Sequence, residues 1–196
     1  MSTRPRDSQR QKVYVAENRA TRWTGTPRSE LMTISECQAY IDKVLASKWL
    51  RSQADLRSRL AAIDKRGGVA VIAGRGGANA TFDVRYSQSW GEVYRETRPS
   101  ISLGVRTRQP YLLLHELSHI LQPSGSAFHG WEFCDILLRL VRHFLGADLH
   151  ARLKAEFKAE RVRFTAPRAK REMSPEQRAL LTQRLAAARA AKAAKS

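Results

Sequence analysis

Cysteine is scarce in these 196 residues: only Cys37 and Cys134 occur, far apart and in no C-x-x-C pairing. That excludes a disulfide framework and a cysteine zinc finger, and it suits a reducing cytosol. No apolar run approaches the roughly 20 residues that a membrane-spanning helix needs. The first twenty residues also lack the apolar stretch of a secretory signal. The expectation is a cytoplasmic protein with no membrane partner. Acidic residues are short as well, 18 Asp and Glu against 35 Lys and Arg, a formal charge of +17.

The basic surplus lies at the ends. Residues 1–28 hold seven Lys/Arg and two Asp/Glu, residues 150–196 thirteen and four, and residues 29–149 fifteen and twelve. Three regions are expected: a basic N-terminal segment (1–28), one domain bearing the chemistry (29–164), and a basic Ala/Lys/Arg-rich helical tail (165–196). Basic ends favour polyanionic partners, nucleic acid first, because each phosphate neutralised releases condensed counterions. No aromatic residue follows Phe164 to stack on bases, which favours a solvated tail over a base-reading one.

The balanced middle carries His115-Glu116-Leu117-Ser118-His119. A helix turns about 100° per residue, so two histidines four apart return to one face within reach of a single metal ion. Glu116 between them is placed to take a proton from an attacking water and pass it to a leaving amine. Pro110 suits the first turn of a helix, Tyr111 to Leu114 and Ile120-Leu121 supply its apolar surface, and Pro123 stops it. Burying two imidazoles and a carboxylate without a partner costs several kcal/mol, and a metal removes that cost.

A catalytic zinc (Zn2+) site needs three protein ligands and an open position. The peptidase class with glycine three residues and histidine six residues after the second histidine is excluded, since Gln122 and Gly125 stand there. His129, reached through the turn-rich Pro123-Ser124-Gly125-Ser126, is the favoured third ligand, with Glu132 the alternative. Glu132 and Asp135 are otherwise candidates to orient an imidazole from behind. His143 and His150 have no matching spacing and read as surface or core histidines. Tyr94, Tyr111 and Arg142 are candidates for stabilising an oxyanion.

The rest of the chain frames this motif. Val13, Ala16 and Ala20 suggest a short first helix, with Tyr14 and Trp23 to dock it and a turn at Gly25-Thr26-Pro27. Thr33 and Glu36 form a capping box before the stripe Cys37, Tyr40, Ile41, Val44, Leu45 and Trp49. Strands are expected at 69–73, 80–86 and 100–105, the first two joined as a hairpin across Gly74-Arg75-Gly76-Gly77. That glycine run has no following Gly-Lys-Ser/Thr and opens no helix, so it is not a phosphate loop. The stripe Phe133, Ile136, Leu137, Leu140, Val141, Phe144 and Leu145 marks a helix ended by Gly146. A further helix follows along Leu149, Leu153 and Phe157. Ser174-Pro175-Glu176-Gln177 starts a last one, whose apolar positions stop at Leu185.

The fold class is therefore α+β: a small antiparallel sheet of about three strands, an N-terminal helix, the motif helix and a following helix, plus a basic helical extension. Many zinc peptidases share that order. In them a strand before the motif holds an extended peptide, and 100–105 is the candidate here.

His115-Glu116-Leu117-Ser118-His119 with His129-Gly130-Trp131-Glu132-Phe133 and Leu145-Gly146 resembles the SprT-like group of small zinc metallopeptidases, where a His-Gly pair after H-E-x-x-H opens a helix. Arg6-Asp7-Ser8-Gln9-Arg10 through Tyr14, Ala16 and Glu17, joined to the same elements, more closely resembles a family of H-E-x-x-H metallohydrolases from actinobacteria and their phages. The resemblance implies a zincin-like, cytoplasmic enzyme with zinc on His115, His119 and His129 and Glu116 as catalytic residue; it supplies no substrate, and a protein or peptide substrate is the expectation from the H-E-x-x-H chemistry. The competing expectation is a nucleic-acid-binding protein whose metal is structural or whose site is inactive.

Overall fold

The computed structural model describes residues 6–21, 31–82, 84–88, 91–95, 98–167 and 174–193; Trp23 and the turn at Gly25-Thr26-Pro27 lie outside them. The chain divides into two compact units, residues 1–166 and 167–196. In the first, α1 (Arg10–Thr21), α2 (Ile34–Ala46), α3 (Lys48–Arg51) and α4 (Arg57–Lys65) precede the strands. After the strands come α5 (Pro110–Leu121), α6 (Trp131–Phe144) and α7 (Ala147–Ala159). The expected capping box opens α2: the Thr33 hydroxyl accepts from the Glu36 N–H at 3.2 Å, and the Glu36 carboxylate accepts from the Thr33 N–H at 2.7 Å.

The sheet is mixed rather than antiparallel. β5 (Ser100–Leu103) is its central strand, parallel to β1 (Ala70–Ala73) and antiparallel to β2 (Ala78–Thr81). Both Val71 and Ala80 stand opposite Ile101. Ile101 and Leu103 are wholly buried, so the strand with the most apolar inward face takes the middle. The expected hairpin between the first two strands does not form, because the glycine run arches over the end of β5. Gly74 N–H donates to the Leu103 carbonyl at 2.9 Å and Gly104 N–H to the Gly77 carbonyl at 3.1 Å. A Cβ on Gly104 would collide with the Gly76 carbonyl oxygen. With both edges of β5 paired, residues 100–105 cannot serve as the peptide-holding strand; among the described residues β2 is an edge. The expected strand at 80–86 is also two, β2 and then β3 (Val84–Gln88), which pairs with β4 (Gly91–Arg95) in a separate antiparallel ribbon.

α5 is the central helix. Pro110 starts it, and every residue of it except Pro110 and His119 is buried. α6 packs on it through Phe133, Ile136, Leu137, Leu140 and Val141, the positions the sequence stripe marked. The stretch set apart in the sequence as an N-terminal segment supplies α1 to this core: Val13, Ala16 and Ala20 are buried, and α1 lies along α7, where Arg19 pairs with Glu160. α7 ends in a left-handed turn at Arg161 (φ 55°), with Arg161 N–H on the Lys158 carbonyl and Val162 N–H on the Phe157 carbonyl. That reversal satisfies the last carbonyls of the helix and sends the chain back toward α1.

In the second unit, α8 (Pro175–Ala193) begins with a capping box between Ser174 and Gln177. Leu180, Leu181 and Leu185 are each about half exposed on it. Among the described residues no helix is long and apolar enough to cross a membrane.

The close crossing of the glycine loop over β5 yields a paired expectation. Gly104→Ala loses about 1–3 kcal/mol of stability through overpacking against backbone. Gly76→Ala, whose added methyl would meet nothing within 4 Å, stays within about 0.5 kcal/mol of the parent. Urea denaturation midpoints measure both.

Candidate metal centre

α5 carries His115 and His119 on one face, and the turn after it returns the chain so that His129 arrives just before α6. One nitrogen from each imidazole lies within 4.8 Å of the others. Ring centroids are 5.0 Å apart for His115 and His119, 5.6 Å for His115 and His129, and 4.8 Å for His119 and His129. These three side chains could hold one metal ion. All three rings rest on Phe133, at 5.0, 4.3 and 4.9 Å between centroids, so the first buried position of α6 forms the floor of the cluster. The sequence marks Phe133 as ordinary core.

The orienting carboxylates come from the N-terminal helix and the turn before it. Glu17 Oε1 lies 2.7 Å from His115 Nδ1, and Asp7 Oδ2 lies 2.7 Å from His129 Nδ1. A carboxylate on Nδ1 fixes the proton there and leaves the Nε2 lone pair for a cation. Gln9 adds a third tie: its amide donates to the His129 carbonyl at 2.6 Å and the Arg163 carbonyl at 3.0 Å, while its oxygen accepts from Arg163 N–H at 3.0 Å. It thereby locks the His129 turn, the start of α1 and the chain after α7 together.

Glu132 and Asp135, the expected orienting groups, stand elsewhere. Glu132 lines a separate cavity beside Trp131, and Asp135 pairs with Arg139 at 3.0 Å, one turn further along α6. Of the oxyanion candidates, Tyr111 is buried beside Glu17, and burial together with that charge holds its phenol well above its ordinary pKa. Arg142 is exposed near the far end of α6. The side chain of Tyr94 lies outside the described residues. His143 stacks on Trp49 at 4.2 Å, a packing role.

The fit to a cation rests on three observations. His129 is 4% exposed, and its Nε2 is buried with no hydrogen-bond partner among the described residues. Asp7, Glu17 and Glu116 together bring three carboxylates to three imidazoles, a concentration of acidic groups whose negative charge a divalent ion would offset. Finally, a cavity of about 210 Å³ is lined by His115, Glu116, His119 and His129, with Asp7, Arg10, Tyr14, Phe128 and residues 78–80 of β2 around them. Burial acts against charge on Glu116, His115 and His129. It raises the Glu116 carboxyl, against the pull of His115 and with the push of Glu17. It works against the His115 imidazolium, but Glu17, with its hydrogen bond, and Glu116 outweigh it and the net shift is upward. For His129 burial wins over the Asp7 hydrogen bond, and the neutral form is favoured.

Metal content separates these roles. Wild-type protein reconstituted with zinc is expected to retain one equivalent, and His129→Ala to lose it on dialysis. Glu17→Gln and Asp7→Asn, which keep shape but weaken the Nδ1 acceptor, lower metal affinity by about 10–100-fold. Competition with a chromophoric chelator measures each, and unchanged affinity in the two carboxylate variants would contradict their orienting role.

No family model, curated protein or solved structure matches the chain.

Proposed function

We propose that the protein is a cytoplasmic zinc-dependent metallohydrolase of the SprT-like kind that cleaves amide bonds in peptide or protein substrates. The observation that carries this reading is Glu116, 5% exposed, lining one cavity with three imidazoles, two of them held through Nδ1 by carboxylates. A structural zinc site is closed by four protein ligands, whereas three imidazoles at a cavity leave room for water and substrate, which favours catalysis over a structural metal. Zinc, when bound, supplies the positive charge that polarises a carbonyl and makes water a stronger acid. Glu116 accepts the proton of the attacking water and delivers it to nitrogen as the C–N bond breaks, a task helped by a carboxyl whose pKa burial moves toward neutrality.

The approach of substrate follows from the sheet. Residues 78–80 of β2 line the cavity, and β2 has an edge unpaired among the described residues, so an extended peptide adds there as a further strand with its carbonyl over the imidazoles. Phe128, 48% exposed at the rim, offers an apolar contact for a substrate side chain. The basic ends of the chain favour substrates held on nucleic acid.

Glu116→Gln tests the reading. Across a panel of fluorogenic peptides, unfolded protein and DNA-bound protein, the wild type is expected to cleave and the variant to fall by at least about 10²-fold with full metal content. Equal activity in the two proteins rules out Glu116 as the proton acceptor and with it the proposed reaction.

A further inference from the structure

We propose that Tyr14 and Arg10 stabilise the oxyanion that forms during amide cleavage; this rests on the hydrolase reading above. Asp7, Arg10, Tyr14 and Glu17 are spaced three, four and three residues apart, and in a helix positions 10, 14 and 17 fall within an arc of about 60°. The outer two of the four hold His129 and His115. The inner two face the same cavity and have no such partner: both line it with Glu116 and the three imidazoles. The Tyr14 ring centroid is 5.0 Å from that of His129 and 6.0 Å from that of His115. The Arg10 guanidinium lies 5.4 Å from the centre of the Tyr14 ring. Among the described residues neither the Tyr14 hydroxyl nor the Arg10 guanidinium makes a hydrogen bond or ion pair.

The chemistry needs what these two groups hold in reserve. When water attacks, a C–O bond forms, the carbonyl π pair moves onto oxygen, and Glu116 takes the water proton. When the C–N bond breaks, its electron pair goes to nitrogen, the Glu116 proton follows, and the carbonyl re-forms. Between these events a full negative charge sits on the former carbonyl oxygen in a cavity that also holds Asp7, with Glu17 just behind His115. Arg10 is the one Lys or Arg among the described residues lining that cavity. The Tyr14 hydroxyl donates a hydrogen bond to the oxyanion and keeps its proton. Arg10, beside the ring, adds positive charge to the same cavity.

Tyr14→Phe keeps the ring that packs on the imidazoles and removes only the donor, and Arg10→Gln removes the charge and the guanidinium while keeping a polar side chain. Zinc content per chain is expected to match the wild type in both. On the best peptide of the panel, kcat falls about 10²-fold in Tyr14→Phe with KM within a few-fold, and less steeply in Arg10→Gln. A second readout needs no turnover: affinity for a phosphinic pseudo-peptide, whose tetrahedral anion imitates the intermediate, drops by a similar factor in Tyr14→Phe, measured by calorimetry. A structural role for Tyr14 would instead lower zinc content or raise KM. Unchanged phosphinate affinity in Tyr14→Phe, or no phosphinate binding by the wild type, overturns the proposal whether or not the protein proves to be a hydrolase. Wild-type turnover no greater than that of Glu116→Gln overturns the hydrolase reading and the oxyanion role with it, and phosphinate affinity still dependent on Tyr14 then marks an anion-binding site rather than a catalytic one.

Discussion

Two hydrogen bonds, the buried one between Glu17 and His115 and the part-buried one between Asp7 and His129, set the terms for the rest of the molecule. A carboxylate at 3% exposure, as Glu17 is, is tolerated in a protein interior only when its charge is answered by a donor close by. Here the donor is an imidazole whose opposite nitrogen is thereby left with its lone pair for a cation, so the same bond that makes burial bearable also suits the cluster to a metal ion. The surrounding structure holds these pairs in register. α5 is buried along nearly its whole length, Phe133 supports all three rings, and Gln9 ties the turn bearing His129 to both chain segments that flank it.

Some of this was legible in the sequence because its information is local. The i, i+4 histidines, the bracketing prolines and the Thr33–Glu36 box are written within a few residues of each other, and each took its expected form. His129 was legible by residue type and by the turn before it. The orienting groups were not, because Asp7 and Glu17 act on residues 122 and 98 positions away and no periodicity spans such distances. One trace existed: Glu17 interrupts the buried stripe Val13, Ala16 and Ala20, and a carboxylate on an inward face implies a partner across the core.

The sheet misled for a related reason. A glycine run between two short strands looks the same whether it closes a hairpin or spans the end of a third strand, and the choice depends on which strand has the most apolar surface to bury. Ile101 and Leu103 decide it, with Gly104 admitting the crossing backbone. The difference moves the strand edge left unpaired among the described residues from β5 to β2, the strand that borders the histidine cluster.

The long reach of Gln9 has a consequence for how the molecule comes into being. Its partners lie 120 and 154 residues further along, so three segments from opposite ends of the domain must meet before the His129 turn is fixed. Closing loops of that length is entropically late, after local helices and the ribbon have formed. During vectorial synthesis α1 emerges long before Arg163, and a nascent chain carries the histidines without the posture that makes them a cluster. Assembly of the histidine cluster is thus tied to completion of the domain.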